Sequence, residues 1–257
     1  MSEKYNSYLL DKNGNKTIDL ENGDLYVSVS TILKGEGKDL ITWALRQFGP
    51  EENPLKAYQA YMEKVSDLGS RIHAYVEHDL KDIPLDANQV QEDMLPAIKA
   101  WHNFKNANKI EMIASERIVF SPKWRIAGTC DLVVKINDVL YVADFKTGGI
   151  YPSAFTQMAA YKAFMCQEPK SKRIEGIENA DLAVIGLHRD GGPVDFSTLK
   201  LYHKGRVSIE DELGVFHCLR YLWFQRNVKS RKFEAVIKNM REVFHPLEER
   251  FKEAFKL

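Results

Sequence analysis

The chain has 257 residues and carries 36 Lys and Arg against 36 Asp and Glu, so its formal net charge is zero. That length suits one well-buried domain with room for a helical elaboration, and the charge balance means that a nucleic-acid partner would have to meet a local basic face. Three scattered cysteines, Cys130, Cys166 and Cys218, form no C-x-x-C pair, which argues against a disulfide framework, a structural zinc site or a four-thiolate Fe–S cluster and points to a reducing, cytoplasmic setting.

The first residues, Met1 to Leu10, lack a long apolar core. With Glu3 and Asp11 they do not suit a mitochondrial transit peptide. No apolar run in the chain approaches membrane-spanning length, so no membrane partner is expected. Alternation from Thr17 to Val29 around Asn22-Gly23-Asp24 predicts a hairpin. Ser28 or Ser30 is placed to cap a short helix through Ile32 and Leu33. A helix is expected from Leu40 to Phe48. A longer one runs from Pro54 to Leu80, with Tyr58, Tyr61, Met62, Val65, Ile72, Val76 and Leu80 as its apolar positions. Pro84 breaks the pattern, and another helix spans Gln91 to Asn106.

The middle of the chain changes character. Arg117–Ser121, Arg125–Ile136 and Val139–Phe145 read as strands, the last two joined by the turn Asn137-Asp138. Thr147-Gly148-Gly149 ends the third strand, and a helix follows from Ser153 to Phe164. Leu182–His188 is a strongly apolar strand. Arg189-Asp190-Gly191-Gly192-Pro193 turns the chain, and Asp195–Tyr202 returns as a strand. Helices resume from Ile209 to Gln225, before a charged stretch to Leu257. The order α, βββ, α, ββ, α predicts an α/β protein with a mixed central sheet flanked by helices.

Two segments carry the chemistry: Ala127-Gly128-Thr129-Cys130-Asp131-Leu132-Val133-Val134 and Tyr141-Val142-Ala143-Asp144-Phe145-Lys146-Thr147. Residues i and i+2 of a strand share a face, so Asp144 and Lys146 point together. Pairing through the Asn137-Asp138 turn brings Asp131 near them. Two carboxylates and an ammonium on one face suit phosphodiester hydrolysis, in which a hard cation neutralises developing charge and activates water. A buried Asp–Lys ion pair is the better explanation of a D-x-K triplet alone, and Asp131 brings the two readings level. His73 and Glu77 share a helix face at i and i+4, as do Gln157 and Tyr161. The first pair has the form of half a zinc site without the second His of H-E-x-x-H.

The ordered set Gly69-x-x-x-His73, Glu116, Gly128-x-x-Asp131, Asp144-x-Lys146-Thr147 and Gln157-x-x-x-Tyr161 resembles the RecB-type branch of the PD-(D/E)XK nucleases, and within it the mitochondrial genome maintenance exonuclease group. The likeness extends to Ser28-Val29-Ser30-Thr31-Ile32-Leu33 with Trp43 upstream and to Leu182–His188 with Asp190-Gly191 downstream. It implies a restriction-endonuclease-like core and Mg²⁺- or Mn²⁺-dependent DNA hydrolysis. His73, Asp131, Asp144 and the Phe145 carbonyl would hold the metal, and Lys146 would be the catalytic lysine. Glu116, Gln157 and Tyr161 would shape the site and hold the scissile strand. Thr147, Arg71 and Arg125 are further candidates for DNA contact, the two arginines because basic side chains near such motifs bind phosphates without regard to sequence, although a solvated surface is the simpler reading of either one alone. The expected organisation is a single nuclease domain over 1–257. Residues 1–110 form its mainly helical elaboration, 111–205 its catalytic sheet and 206–257 its C-terminal helices, in which the basic run from Arg226 to Arg241 around Phe233 suits a DNA-contacting or partner helix and, at least as well, a plain solvated amphipathic helix.

The activity expected is that of an exonuclease on single-stranded DNA or DNA ends in repair, recombination or replication, in a bacterial or phage setting. A helicase, recombinase or single-strand-binding protein would be its partner. The alternatives are a structure-specific or nonspecific endonuclease, a catalytically silent DNA-binding scaffold, and a zinc hydrolase built on His73 and Glu77.

Overall fold

The computed structural model describes residues 7–11, 13–16, 24–34, 54–85 and 87–227. It opens with β1 (Ser7–Leu10) antiparallel to β2 (Asp24–Ser28), in register from Ser7↔Val27 to Leu10↔Asp24. The second arm of the expected hairpin is therefore present, but its partner is Ser7–Leu10, a segment with no sequence assignment. Residues 17–23, the expected first arm and turn, lie outside the described residues. Leu10 anchors β1 by full burial beside Tyr26 and Ala127. The Ser28 hydroxyl accepts the Thr31 N–H at 3.0 Å and caps α1 (Val29–Leu33), as its side-chain chemistry predicts. The helix expected over Leu40–Phe48 also lies outside the described residues.

The next helix, α2, spans Pro54–Leu80, with Pro at the position where a missing N–H costs nothing. Its C-terminal half is core: Leu68, Ile72 and Val76 pack with Trp101 and Phe145. The apolar residues of its N-terminal half do not follow. Tyr58, Tyr61, Met62 and Val65 line a cleft instead, and Tyr61 and Met62 are each 40% exposed. Helix α3 (Leu95–Ala107) starts later than Gln91, because a 3₁₀ turn over Glu92–Met94 precedes it.

Strand β3 (Ile110–Ser121) begins seven residues before Arg117. A register shift between Met112 and Ala114 breaks the alternation that would have revealed it. It pairs with β4 (Ile126–Ile136), which pairs in turn with β5 (Val139–Lys146). Asn137 and Asp138, at φ of 50° and 67°, form the two-residue loop between them. Both residues in the left-handed region is the type I′ arrangement that matches strand twist, and Asn and Asp tolerate it best after Gly.

Helix α4 (Pro152–Gln167) crosses back to β6 (Asp181–Gly186), parallel to β5. The last strand, β7 (Asp195–Thr198), is shorter than expected. The Thr198 hydroxyl accepts the Leu201 N–H at 3.2 Å and starts a helical turn, α5 (Leu199–Tyr202), where continued strand was predicted. Helix α6 (Ile209–Asn227) follows, and the charged stretch from residue 228 lies outside the described residues.

The seven strands form one mixed sheet in the order β1-β2-β4-β5-β6-β7, with β3 also on β4. Helices cover both faces. Val133, Val142 and Val184 enter a core with α1, α4 and α6, while Leu132, Val134, Ala143, Phe145 and Ile185 enter a second core with α2 and α3. This is the α/β architecture that the sequence predicts. Among the described residues no helix is long and apolar enough to cross a membrane.

Candidate active site

Strand β4 is shared unevenly. β3 occupies one edge along its length. The other edge takes β2 at Ile126 and Ala127, then β5 from Leu132 to Ile136. Gly128 to Asp131 lies in the interval between those two pairings. There the Asp131 carboxylate takes over from the backbone ladder, with Oδ2 accepting the Phe145 N–H at 3.3 Å. That bond ties Asp131 to the residue between Asp144 and Lys146.

Strand alternation puts Asp144 and Lys146 on the face of Val142, toward α4. Asp144 is 3% exposed, and its Oδ2 makes no hydrogen bond of good geometry. The close partner of that oxygen is the Lys146 ammonium. His73 enters from α2, its Nδ1 3.9 Å from Asp131 Oδ2 and its ring centroid 5.7 Å from that of Phe145.

The electrostatics follow from this crowding. Burial and the neighbouring Asp144 carboxylate push the Asp131 pKa up to about 8, with Lys146 opposing. Burial also lowers the His73 pKa, so its imidazole is neutral at physiological pH and can act as a lone-pair donor. Glu116 sits in β3 between Ser115↔Leu132 and Arg117↔Cys130, which is the register position of Asp131. Its φ of 46° is left-handed, an uncommon strain for a non-glycine residue inside a strand. Desolvation around its carboxyl and the Glu77 carboxylate raise its pKa.

Among the described residues, no three His, Cys, Asp or Glu side chains are closed into a metal cage. What converges is an open set: two adjacent carboxylates, one of them with a buried oxygen that faces only the Lys146 ammonium, beside a neutral imidazole. Such a set fits a hard divalent cation that keeps several waters and needs few protein ligands.

Two glycines show how tightly the helices close on these strands. A Cβ on Gly69 of α2 would lie 2.8 Å from Thr147 Oγ1, and one on Gly128 would lie 2.4 Å from Tyr161 Cε1. Tyr161 is buried on α4, and its hydroxyl accepts a 2.8 Å hydrogen bond from Gln157 Nε2. Gly128→Ala should therefore displace the Tyr161 ring and cost about 1–3 kcal/mol, read as a lowered midpoint in denaturant unfolding. A wild-type midpoint would show that the ring gives way freely.

The cleft that reaches this site has a volume of about 820 Å³. His73, Phe145, Lys146, Thr147 and Gln157 line it. Arg71 and Arg125 are engaged elsewhere. Arg71 bonds Asp67 and, through two nitrogens, Asp93, each at 2.9 Å. Arg125 pairs with Asp24 at 2.7 Å and lies over the Tyr26 ring. Glu77 is held by Lys81 at 2.5 Å and by the Ser115 hydroxyl at 3.0 Å.

Sequence reasoning missed Arg189 and Tyr151, both on the cleft wall, and identified Tyr58, Tyr61 and Met62 as apolar helix positions without placing them on a cleft. The spacing of the last three on a mostly polar helix was the available signal. Arg189 offered none, since its Nε reaches the Thr147 carbonyl at 2.8 Å across 42 residues of sequence.

No curated protein sequence matches the chain significantly. The sequence profile of the PD-(D/E)XK nuclease superfamily does match, over residues 43–253. That span takes in both acid-bearing strands, the lysine and the helices that bring His73 and Gln157 to them, and the chain belongs to the PD-(D/E)XK nuclease superfamily.

Proposed function

We propose that this nuclease is a Mg²⁺- or Mn²⁺-dependent DNA exonuclease of the RecB-type branch, akin to the mitochondrial genome maintenance exonuclease group. It would act on single-stranded DNA or DNA ends in repair, recombination or replication. The observation that carries the reading is the Asp131–Phe145 bond, which ties Asp131 to the strand of Asp144 and Lys146, and Lys146 and His73 line the cleft beside them. His73, Asp131, Asp144 and the Phe145 carbonyl would hold the divalent ion, which supplies charge neutralisation and an acidified water when bound.

The residues of the chain do the rest. Lys146 orients the attacking water and faces the charge that develops on the phosphoryl oxygens. Gln157, fixed by Tyr161, sits on the wall where the scissile strand would lie. Glu116 supplies a further acid beside Asp131. Thr147 follows the lysine into the cleft. A helicase, recombinase or single-strand-binding partner would present the strand.

End-labelled single- and double-stranded DNA with and without Mg²⁺ tests the activity, and a closed single-stranded circle tests the mode. Cleavage of the circle would replace the exonuclease with an endonuclease. No cleavage of any substrate would favour a silent scaffold, a reading that the intact Asp131, Asp144 and Lys146 oppose. A zinc hydrolase centred on His73 and Glu77 is disfavoured because Lys81 and Ser115 engage the Glu77 carboxylate. His73→Ala should accordingly lower metal affinity and cleavage at least tenfold, while Glu77→Ala changes either much less. Metal titration and single-turnover rates separate the two variants, and equal mild effects would remove His73 from the ligand set.

A further inference from the structure

The cleft has two chemically different walls. Along α2 run Tyr58, Tyr61, Met62, Val65, Ser66, Gly69, Ser70 and His73. Their spacing of three and four residues is one helical face. Fifteen residues separate Tyr58 from His73, which is roughly 22 Å of helix. That length accommodates several nucleotides at the ~3.4 Å spacing of a stacked strand. The end far from His73 is apolar and aromatic, with Tyr61 and Met62 exposed, and Tyr151 on the cleft lining is 54% exposed.

The other wall follows β5 out of the sheet: Lys146, Thr147, Gly148 and Gly149, then Arg189. Arg71, Arg117 and Arg125 each have a carboxylate partner. Among the described residues, Arg189 makes one hydrogen bond, from Nε to the Thr147 carbonyl, and has no carboxylate within ion-pair distance. That bond fixes the guanidinium plane and leaves both terminal nitrogens available beside Gly148, where a Cβ would come within 3.8 Å of Nη2. A planar, pre-oriented guanidinium with two donors left is matched to a phosphate.

Building on the nuclease reading, we propose that the cleft holds a single nucleic-acid strand in one orientation. Its phosphates run along the Lys146–Arg189 wall, with one phosphate held by Arg189, and its bases lie against Tyr58, Tyr61 and Met62. The affinity is sequence-blind, because every base has a face to stack and every linkage has the same charge.

The test is binding by fluorescence anisotropy in EDTA, so that hydrolysis plays no part. The probes are a labelled oligothymidylate and an abasic sugar-phosphate oligomer of equal length. Arg189→Gln should weaken both probes by the same factor, roughly tenfold, and flatten the slope of log affinity against log salt by about 0.7. Arg189→Lys should restore the slope. Tyr61→Ala should weaken oligothymidylate by roughly tenfold and leave the abasic oligomer unchanged. Cleavage of the same oligothymidylate with Mg²⁺ is run alongside. Wild-type protein that cleaves while Arg189→Gln keeps its salt slope, or Tyr61→Ala weakens both probes alike, overturns the two-wall assignment and leaves the nuclease reading intact. Wild-type protein that neither binds nor cleaves overturns both.

Discussion

Asp144→Asn and Asp131→Asn are each expected to reduce DNA cleavage on the order of 10³-fold or more, about 4 kcal/mol of transition-state stabilisation, while strand binding stays near wild type. Asn keeps the shape of Asp and removes the anionic oxygen that a divalent ion needs. The stability effect runs the other way. Asp131 has its pKa pushed up to about 8 in the folded protein, against about 3.9 in an unfolded chain. A raised carboxylate pKa favours the protonated native state, so stability is full below about pH 4 and is lost as pH rises toward 8. Asp131→Asn escapes that loss. In EDTA its unfolding midpoint should exceed that of wild type at pH 8, and the gap should shrink toward pH 5. A variant that is inactive and also less stable at pH 8 would mean that Asp131 is a structural acid.

Lys146→Met is expected to collapse the cleavage rate by 10²–10³-fold or more, comparable to removing a donor aimed at developing charge. The Asp144 carboxylate it faces is almost fully buried, whereas the Lys146 side chain is about one-third exposed. Without metal, the variant should lose about 1–3 kcal/mol, less than a fully buried pair would because solvent screens the ammonium. Mg²⁺ should restore most of that loss, since a divalent ion neutralises the same carboxylates, but should not restore the rate. Lys146→Arg should rescue stability and not cleavage, because its larger planar head holds charge without the compact geometry of the ammonium. Thermal unfolding with and without Mg²⁺, set beside single-turnover cleavage, reads both effects. A variant that unfolds early yet cleaves at the wild-type rate would confine Lys146 to ion pairing.

Local rules carried the sequence reading a long way. Pro54 and Leu80 bound α2 as periodicity and the initial proline indicate. Ser28 caps α1, and Asn137-Asp138 turns the central hairpin as its turn chemistry indicates. Asp144 and Lys146 share a face because strands alternate. Failures came where a long-range partner decides. Ser7–Leu10 is a strand only because Asp24–Ser28 lies beside it. Strand β7 stops at Thr198 because one hydroxyl finds the Leu201 amide. Glu116 was identified by motif, but its left-handed backbone opposite Asp131 has no signature in an acidic side chain. Arg71 and Arg125 looked available because Asp93 and Asp24 are distant in sequence. The aromatic wall was hidden by a rule that holds elsewhere: apolar spacing on a helix marks a buried face, but at Tyr58, Tyr61 and Met62 that face meets a cleft.

The type I′ turn at Asn137 and Asp138 also bears on the order of assembly. Asp131 and Asp144 are thirteen residues apart, and the β4–β5 pairing that joins them closes through a two-residue loop. Hairpins of this kind form in microseconds, whereas His73 must arrive from a helix almost sixty residues upstream by long-range docking. On those timescales the two acids are expected to meet early, before α2 covers them. Their mutual repulsion is a barrier-crossing problem as well as a property of the finished fold. Counter-ions that gather at the nascent hairpin should act on the folding arm of a chevron plot, which would read the ionic setting as a determinant of how fast the two acids are brought together.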